Sequence, residues 1–201
     1  KLTDVNGANS KQTITVDVQA VTDEVVLNVK EDTTQNGVTV VISNANKTAD
    51  ITFDEDTSFN LTNILAPEAF KDLDGSETRY LGLKDLPNGT TVTVDGVDYV
   101  IGQAGTPTVD FGGATGVVPA ITIAGTATGL PNITITPPKD FSGDLTDIKV
   151  ILGALDSDSD SSTANPSPVT DEITINLHVK PVAGDLDIKG VTGDEDTAIA
   201  F

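Results

Sequence analysis

The sequence predicts an all-β protein built as an antiparallel β-sandwich. Short segments alternate apolar and polar residues with a period of two, and clusters of Gly, Pro, Asn and Asp separate them. The clearest example is Asp95-Gly96, a two-residue loop of the hairpin type between two alternating segments. Many short strands separated by turn signals are typical of a sandwich.

The alternating segments are spaced along most of the chain. In order, they cover residues 14–18, 25–29, 38–42, 51–53, 92–94, 97–101, 133–135, 148–152 and 173–179. A single helical turn is expected at 66–71, because Pro67 suits the first position of a helix. Residues 102–129 are rich in Gly, Ala and Thr, so they predict less regular structure.

Charge and composition exclude several classes of function. The 201 residues include 31 acidic and 11 basic side chains, for a net charge of −20. Nucleic acids and anionic membranes bind cationic patches, so both are excluded as partners. The acidic chain repels itself unless cations bind to it. There is no Cys, hence no disulfide or thiol chemistry, and no apolar run approaches the ~20 residues that cross a bilayer.

Two internal repeats indicate a tandem array. Asp54-Glu55-Asp56-Thr57 recurs 140 residues later, beginning at Asp194, and residues 13–25 match residues 174–186 in pattern. We therefore expect one complete unit at 20–182 and the start of a following unit at 183–201. Residues 1–19 are either the last strand of a preceding unit or the first strand of this one. The excess length at 30–50 is expected to hide an accessory hairpin.

An ordered set of short motifs carries a family resemblance. It comprises Glu55-Asp56-Thr57, Asp72-x-Asp-Gly-Ser-Glu77, Leu86-Pro-x-Gly89, Pro138-x-Asp-Phe-Ser-Gly143 and Val179-x-Pro-Val182. The set resembles the roughly 140-residue repeat of giant bacterial RTX adhesins exported by type I secretion. The resemblance implies tandem Ig-like or cadherin-like β-sandwiches that bind calcium in their loops and at their junctions. It also implies that the repeats form a stalk on the bacterial surface.

The acidic loop at residues 72–77 is the first candidate calcium site. Asp72, Asp74 and Glu77 supply three carboxylates within six residues, and Gly75 permits a sharp turn between them. Calcium takes six to eight oxygen ligands from flexible loops. The alternative is a solvated acidic turn without a metal.

Carboxylates near the predicted junctions form a second candidate group. Glu55 and Asp56 are expected at a domain end, and Asp23, Glu24 and Asp185 lie just inside the junctions. In cadherin-like joints, ligands come from the linker and from both domains, so the resemblance implies ions shared among these residues. We expect Glu55 and Asp56 also to reach Asp72 and Asp74. Alternatively, these side chains only maintain solubility.

The segment Asp156-Ser-Asp-Ser-Asp matches the first ligand positions of an EF-hand loop, but Gly at the sixth position and Glu at the twelfth are missing. We still expect Asp156 and Asp158 to ligate calcium near Asp171, unless the segment is an unstructured acidic loop. Zinc and copper fit poorly, because the chain has no Cys and one His.

Catalysis is not expected. The one histidine, His178, alternates with apolar residues in a strand and is predicted to be a plain surface residue. There is no nucleophile elbow and no P-loop. Paired carboxylates can cleave glycosides, but these lack the aromatic platform that a sugar uses.

The sequence therefore leads to one expected function and two alternatives. The expectation is a calcium-stabilised structural extender repeat of a secreted adhesin on the bacterial cell surface, serving adhesion and biofilm formation. We expect it to be monomeric, with neighbouring repeats of the same chain as its partners and no membrane insertion. The first alternative is a domain that binds peptide or glycan through residues 30–50 or 102–129, and the second is homophilic adhesion.

Overall fold

The computed structural model of the chain describes residues 2–3, 9–14, 16, 21–67, 77–108, 118–123, 129–156 and 168–183. Its strands are β1 (Leu2–Thr3), β2 (Asn9–Ser10), β3 (Leu27–Val29), β4 (Thr39–Ser43), β5 (Thr48–Asp54), β6 (Phe59–Asn60), β7 (Leu65–Pro67), β8 (Glu77–Lys84), β9 (Thr91–Val94), β10 (Val97–Val100), β11 (Val118–Ile123), β12 (Ile133–Thr136), β13 (Gly143–Asp156) and β14 (Val169–Lys180). A short 3₁₀ helix covers Thr62–Ile64. The predicted all-β class is confirmed.

Two larger sheets form the sandwich. One has six strands in the order β11-β8-β13-β14-β5-β4, and the other has four in the order β10-β9-β12-β6. Strands β3 and β7 make a separate two-stranded ladder, as do β1 and β2. Among the described strand pairs, β14 and β5 run parallel and the rest run antiparallel. The prediction of a purely antiparallel sandwich therefore missed one parallel pair.

The hydrophobic core lies between the sheets and follows the predicted alternation. Alternate residues of β14, from Ile173 to Val179, face the core, and the residues between them face outward. The six-stranded sheet also contributes Phe53, which packs on Phe59 of the opposite sheet with ring centroids 5.3 Å apart. Burial of one face of each sheet supplies the main driving force of the fold.

The hairpin predicted around Asp95-Gly96 is present, with Val94 paired to Val97. Both turn residues have positive φ, 47° for Asp95 and 86° for Gly96, as a two-residue hairpin turn of the I′ type requires. The segment of excess length at 30–50 forms a second hairpin. Its first strand is β4, which pairs with β5 at the edge of the six-stranded sheet.

Local predictions failed in two places. Ala66 and Pro67 belong to β7 rather than to a helical turn, and the single turn of helix lies earlier, at Thr62–Ile64. Pairing with β3 decides this, because it holds Leu65 and Pro67 extended, opposite Val29 and Leu27 of β3. Ile14 and Val16 are outside any strand and are 81% and 74% exposed. A strand needs a neighbour for its backbone groups, and the described part of the chain offers none there.

The structure also contains strands that the sequence did not predict, among them β8 and β11. Strand β11 pairs with β8 from within the Gly-rich segment and forms one edge of the larger sheet. Within the described residues, no helix has the length and apolar character needed to cross a bilayer.

Candidate metal site at one end of the sandwich

The two ends of the sandwich carry different groups of carboxylates. Strand β13 is 14 residues long and runs from Gly143 at one end to Asp156 at the other, roughly 45 Å for an extended strand. We call the end with Thr22, Asp23, Glu77 and Asp156 the entry end, because residues 21–25 meet the sandwich there. The opposite end, with Glu55, Asp56, Asp140 and Val182, is the exit end.

At the entry end, Glu77 and Asp156 oppose each other across two strands. Glu77 is the first residue of β8 and Asp156 the last of β13, and they are direct partners in the antiparallel register. Both lie on the side of the sheet that faces the core, and they are only 8% and 4% exposed. Side chains in such a pair are about 5 Å apart at Cβ, and like charges there destabilise a sheet.

The chain entering the sandwich closes this end. The backbone N of Asp23 donates a hydrogen bond of 3.2 Å to Glu77 Oε1. The hydroxyl of Thr22 accepts one of 3.2 Å from the backbone N of Asp156. Residues 22 and 23 therefore bridge the tips of β8 and β13, and both carboxylates lie beneath them.

Three charged side chains are buried at the entry end. The charged residues buried in the described part of the chain are Glu77, Arg79 and Asp156, so one cation accompanies two carboxylates. Arg79 follows Glu77 by two residues on the same strand and lies on the same face. Within the described residues, Asp156 Oδ1 is buried and has no hydrogen-bond partner. A buried carboxylate oxygen in this state is costly unless another group satisfies it.

The oxygen donors at the entry end are of the kind that a hard cation such as calcium prefers. The described residues supply too few of them to complete its coordination. Carboxylate oxygens suit calcium, which takes six to eight oxygen ligands. In the part of the chain that is described, no three acidic or histidine side chains lie together as a metal-binding group. Asp74 precedes Glu77 by three residues and Asp158 follows Asp156 by two, but both residues lie outside the described part.

The structure unites groups that the sequence treated as separate. Asp23, Glu77 and Asp156 came from three predicted sites, and all three meet at the entry end. Sequence reasoning missed Thr22 and Arg79. The spacing of two between Glu77 and Arg79 was a usable signal, because it places both side chains on one face of a strand.

Glu55 and Asp56 lie at the exit end, away from Glu77. Glu55 Oε1 accepts a hydrogen bond of 2.7 Å from the backbone N of Val182, and Asp56 Oδ1 accepts one of 2.9 Å from the backbone N of Asp140. Asp72 and Asp74, which this motif was expected to reach, lie outside the described residues, so that expectation stays a prediction. Parallel pairing of β5 with β14 carries Asp54 to the end of β14 that is far from Glu77.

Asp171 has a structural role of its own. Its Oδ2 accepts hydrogen bonds from Lys47 Nζ at 2.5 Å and from the backbone N of Leu27 at 2.7 Å. It is paired with Leu152, four residues before Asp156 on β13, which places it about 13 Å from Asp156 along the strand. The expectation that Asp171 lies near Asp156 is wrong, because Asp171 fastens β3 to β14.

The remaining predicted ligands are not brought into any cluster that the structure describes. Glu24 is exposed, next to Asp23. Asp72, Asp74, Asp158 and Asp185 lie outside the described residues, so their placement stays a prediction.

His178 faces outward, as predicted, but it is not a plain surface residue. Its Nδ1 lies 2.7 Å from Asp144 Oδ1, and its Nε2 lies 3.5 Å from Asp50 Oδ1. The hydrogen bond to Asp144 is the main cause that raises the pKa of His178. Burial lowers this pKa by a smaller amount, and the hydrogen bond to Asp50 raises it further. The imidazole thus links β13, β14 and β5 on the outer face of the sheet.

Comparison of the chain with models of protein families, with characterised proteins and with solved structures found no match in any of the three.

Proposed function

We propose that this chain is a calcium-stabilised structural extender repeat of a secreted adhesin on the bacterial cell surface. The observation that carries the calcium part is Asp156, whose buried Oδ1 has no partner in the described residues and lies opposite the carboxylate of Glu77. One cation bound there would satisfy the buried oxygen of Asp156. It would also hold the tips of β8 and β13 together with the incoming chain.

The extender part rests on the architecture and on the sequence. The repeated motifs indicate a tandem array, and the unit is a long sandwich whose entering and leaving chains lie at opposite ends. A unit of this shape lengthens a stalk each time it is repeated. The net charge of −20 supports a cation-dependent fold, because bound cations reduce the repulsion among the carboxylates.

Calcium affinity in extracellular modules is typically ~10⁻⁴–10⁻³ M. Such a site is filled in seawater or host fluid and empty in a cytoplasm, so the unit would become stiffer after export. Mechanical support of distal binding domains then follows from the same ion that completes the entry end.

Thermal unfolding with calcium and with a chelator tests the proposal. We expect calcium to raise the Tm of the full chain, and we expect Asp156→Asn to lose most of that rise. Asp147→Asn is the matched control, because Asp147 is an exposed residue of the same strand and Asn tolerates its positive φ of 61°. This control should keep the full response.

Two outcomes would overturn the calcium site. One is a wild-type Tm that is the same in calcium and in chelator. The other is an Asp156→Asn variant whose calcium response equals that of the wild type, which would mean that Arg79 alone compensates the pair. If Asp156→Asn does not fold, Asp74→Asn and Asp158→Asn carry the same test from positions next to the two strand tips.

A further inference from the structure

The matched segments of the internal repeat have opposite environments. Residues 13–25 align with residues 174–186, so Ile14 corresponds to Ile175 and Val16 to Leu177. Ile175 and Leu177 are fully buried in β14 between β13 and β5, whereas Ile14 and Val16 are among the most exposed apolar side chains of the described residues. The earlier segment therefore resembles β14 in sequence. In the described residues, however, Ile14 and Val16 have no neighbouring strands of the kind that bury β14.

The same alignment relates the two hydrogen bonds that anchor the chain at the ends of the unit, one at Val182 and one at Thr22. Val182 corresponds to Val21, and its backbone N is held by Glu55 at the exit end. The next position, Ala183, corresponds to Thr22, which is bonded to the tip of β13 at the entry end. The last anchored residue of one unit and the first anchored residue of the next are thus consecutive in the chain.

We propose that units of this fold join end to end without a linker, with Val182 and Ala183 as the adjacent anchors. The partner of the entry end is then the exit end of another copy of this fold. This inference deepens the proposed extender function and rests on it. Since consecutive Cα atoms are ~3.8 Å apart, the two sandwiches abut and have no free hinge between them.

The direct joint brings carboxylates of two units close together. Glu55 Oε1 lies 2.7 Å from the N of Val182, and at the entry end the N of Asp23 lies 3.2 Å from Glu77 Oε1. Two residues of extended chain separate these anchors, about 7 Å. Glu55 of one unit and Glu77 of the next therefore lie within roughly 13 Å of each other. This upper limit exceeds the ~8 Å screening length at physiological salt, so the joint places the two carboxylates near each other without requiring strong direct repulsion.

The two joints of the chain are not identical. Thr22 is replaced by Ala183 in the second copy, so the hydroxyl that accepts from the tip of β13 is missing there. Gly184 takes the place of Asp23 in the alignment, and glycine also carries a backbone N–H. The joint after Val182 would therefore be able to form one of the two bridging hydrogen bonds.

A fusion of residues 1–182 followed directly by residues 22–201 tests the joint. The chain has no Cys, so spin labels on Cys at Lys139 of the first copy and at Ser43 of the second report one distance between units. Both positions are exposed. We expect a narrow distribution of distances for the direct fusion. Inserting Gly-Ser-Gly-Ser after Val182 should broaden it by roughly twofold or more, because such a linker is a flexible coil.

The control carries the same four residues after Gly105, in an exposed loop within a unit, and should keep the narrow distribution. Equal widths for the direct fusion and the insertion after Val182 would overturn the direct joint. Measuring each in calcium and in chelator separates the two proposals. A calcium-dependent Tm with equal widths rejects the joint alone, and a narrow joint in a calcium-insensitive protein rejects the calcium site alone.

Discussion

Oε1 of Glu55 accepts a hydrogen bond of 2.7 Å from the backbone N of Val182, which joins two residues that are 127 positions apart. The backbone N of Glu55 in turn donates to the carbonyl of Lys180 at 2.8 Å. Glu55 therefore continues the parallel pairing of β5 and β14 by one step beyond the last strand residues. It fixes the direction in which the chain leaves the sandwich.

Removing this carboxylate should release the exit end locally. We expect Glu55→Ala to destabilise the fold by about 0.5–1.5 kcal/mol, because one long-range hydrogen bond is lost, although it is exposed. Urea unfolding measures the loss, and amide hydrogen exchange at Val182 should become faster. Glu55→Gln keeps an acceptor oxygen and should retain slow exchange. Unchanged exchange at Val182 in Glu55→Ala would show that the bond does not anchor the chain.

Lys47 and Asp171 should be coupled energetically. Their charged atoms are 2.5 Å apart, and the side chains are 32% and 23% exposed. We expect Lys47→Met to cost about 1–3 kcal/mol, since Asp171 is left partly buried without its cation. Denaturant unfolding of both single variants and of Lys47→Met/Asp171→Asn gives the coupling energy.

The control for this pair is Lys139→Met. Lys139 binds Asp140 at 2.8 Å, but its side chain is 83% exposed, so its loss should change stability by less than about 0.5 kcal/mol.

Since Asp171 is held by Lys47 and Leu27, Asp171→Asn should leave the calcium response of Tm intact. A lost response would return Asp171 to the set of metal ligands that the sequence suggested.

Stability should fall as pH rises through the titration of His178. The hydrogen bond to Asp144 is the largest cause raising its pKa above the usual 6.5, and Asp50 contributes as well. The protonated imidazole therefore stabilises the fold fully below pH ~6.5, and this contribution is lost as pH rises through the higher folded-state pKa. The effect should stay below about 1 kcal/mol, because the side chain is 38% exposed.

Two measurements check this prediction. The chain has one His, so a single imidazole signal in NMR reports the pKa directly. His178→Gln should destabilise the fold more at pH 5.5 than at pH 8.5. A pKa at or below 6.5 would contradict the role of the two aspartates.

Gly96→Ala should lower the free energy of unfolding by about 1 kcal/mol, and backbone strain should be its only cause. Gly96 has a φ of 86°, and a Cβ there would meet no atom within 4 Å, so strain in the hairpin turn is the whole effect. Thermal or urea unfolding measures it. Gly129→Ala is the matched control, because its Cβ would also meet nothing within 4 Å and its φ is not in the left-handed region. That control should be neutral or slightly stabilising, and equal effects for both variants would contradict the argument.

The sequence by itself determined the fold class and most of the strands. Alternation with a period of two places Ile173, Ile175 and Leu177 on one face of a strand regardless of what they contact, because successive side chains point to opposite sides. The turn at Asp95-Gly96 could also be predicted from the local sequence, because few residue pairs adopt positive φ at two consecutive positions. The acidic composition suggested that cations bind, but it did not indicate which carboxylates would share an ion.

Only the tertiary structure decided how the acidic residues are grouped. Parallel pairing of β5 with β14 carries Glu55 to the exit end, and the register of β8 with β13 brings Glu77 opposite Asp156, although 79 residues separate them. Lys47 likewise meets Asp171 across 124 positions. Such contacts depend on strand order and register between distant segments, and no local pattern in a single strand specifies which edge it joins.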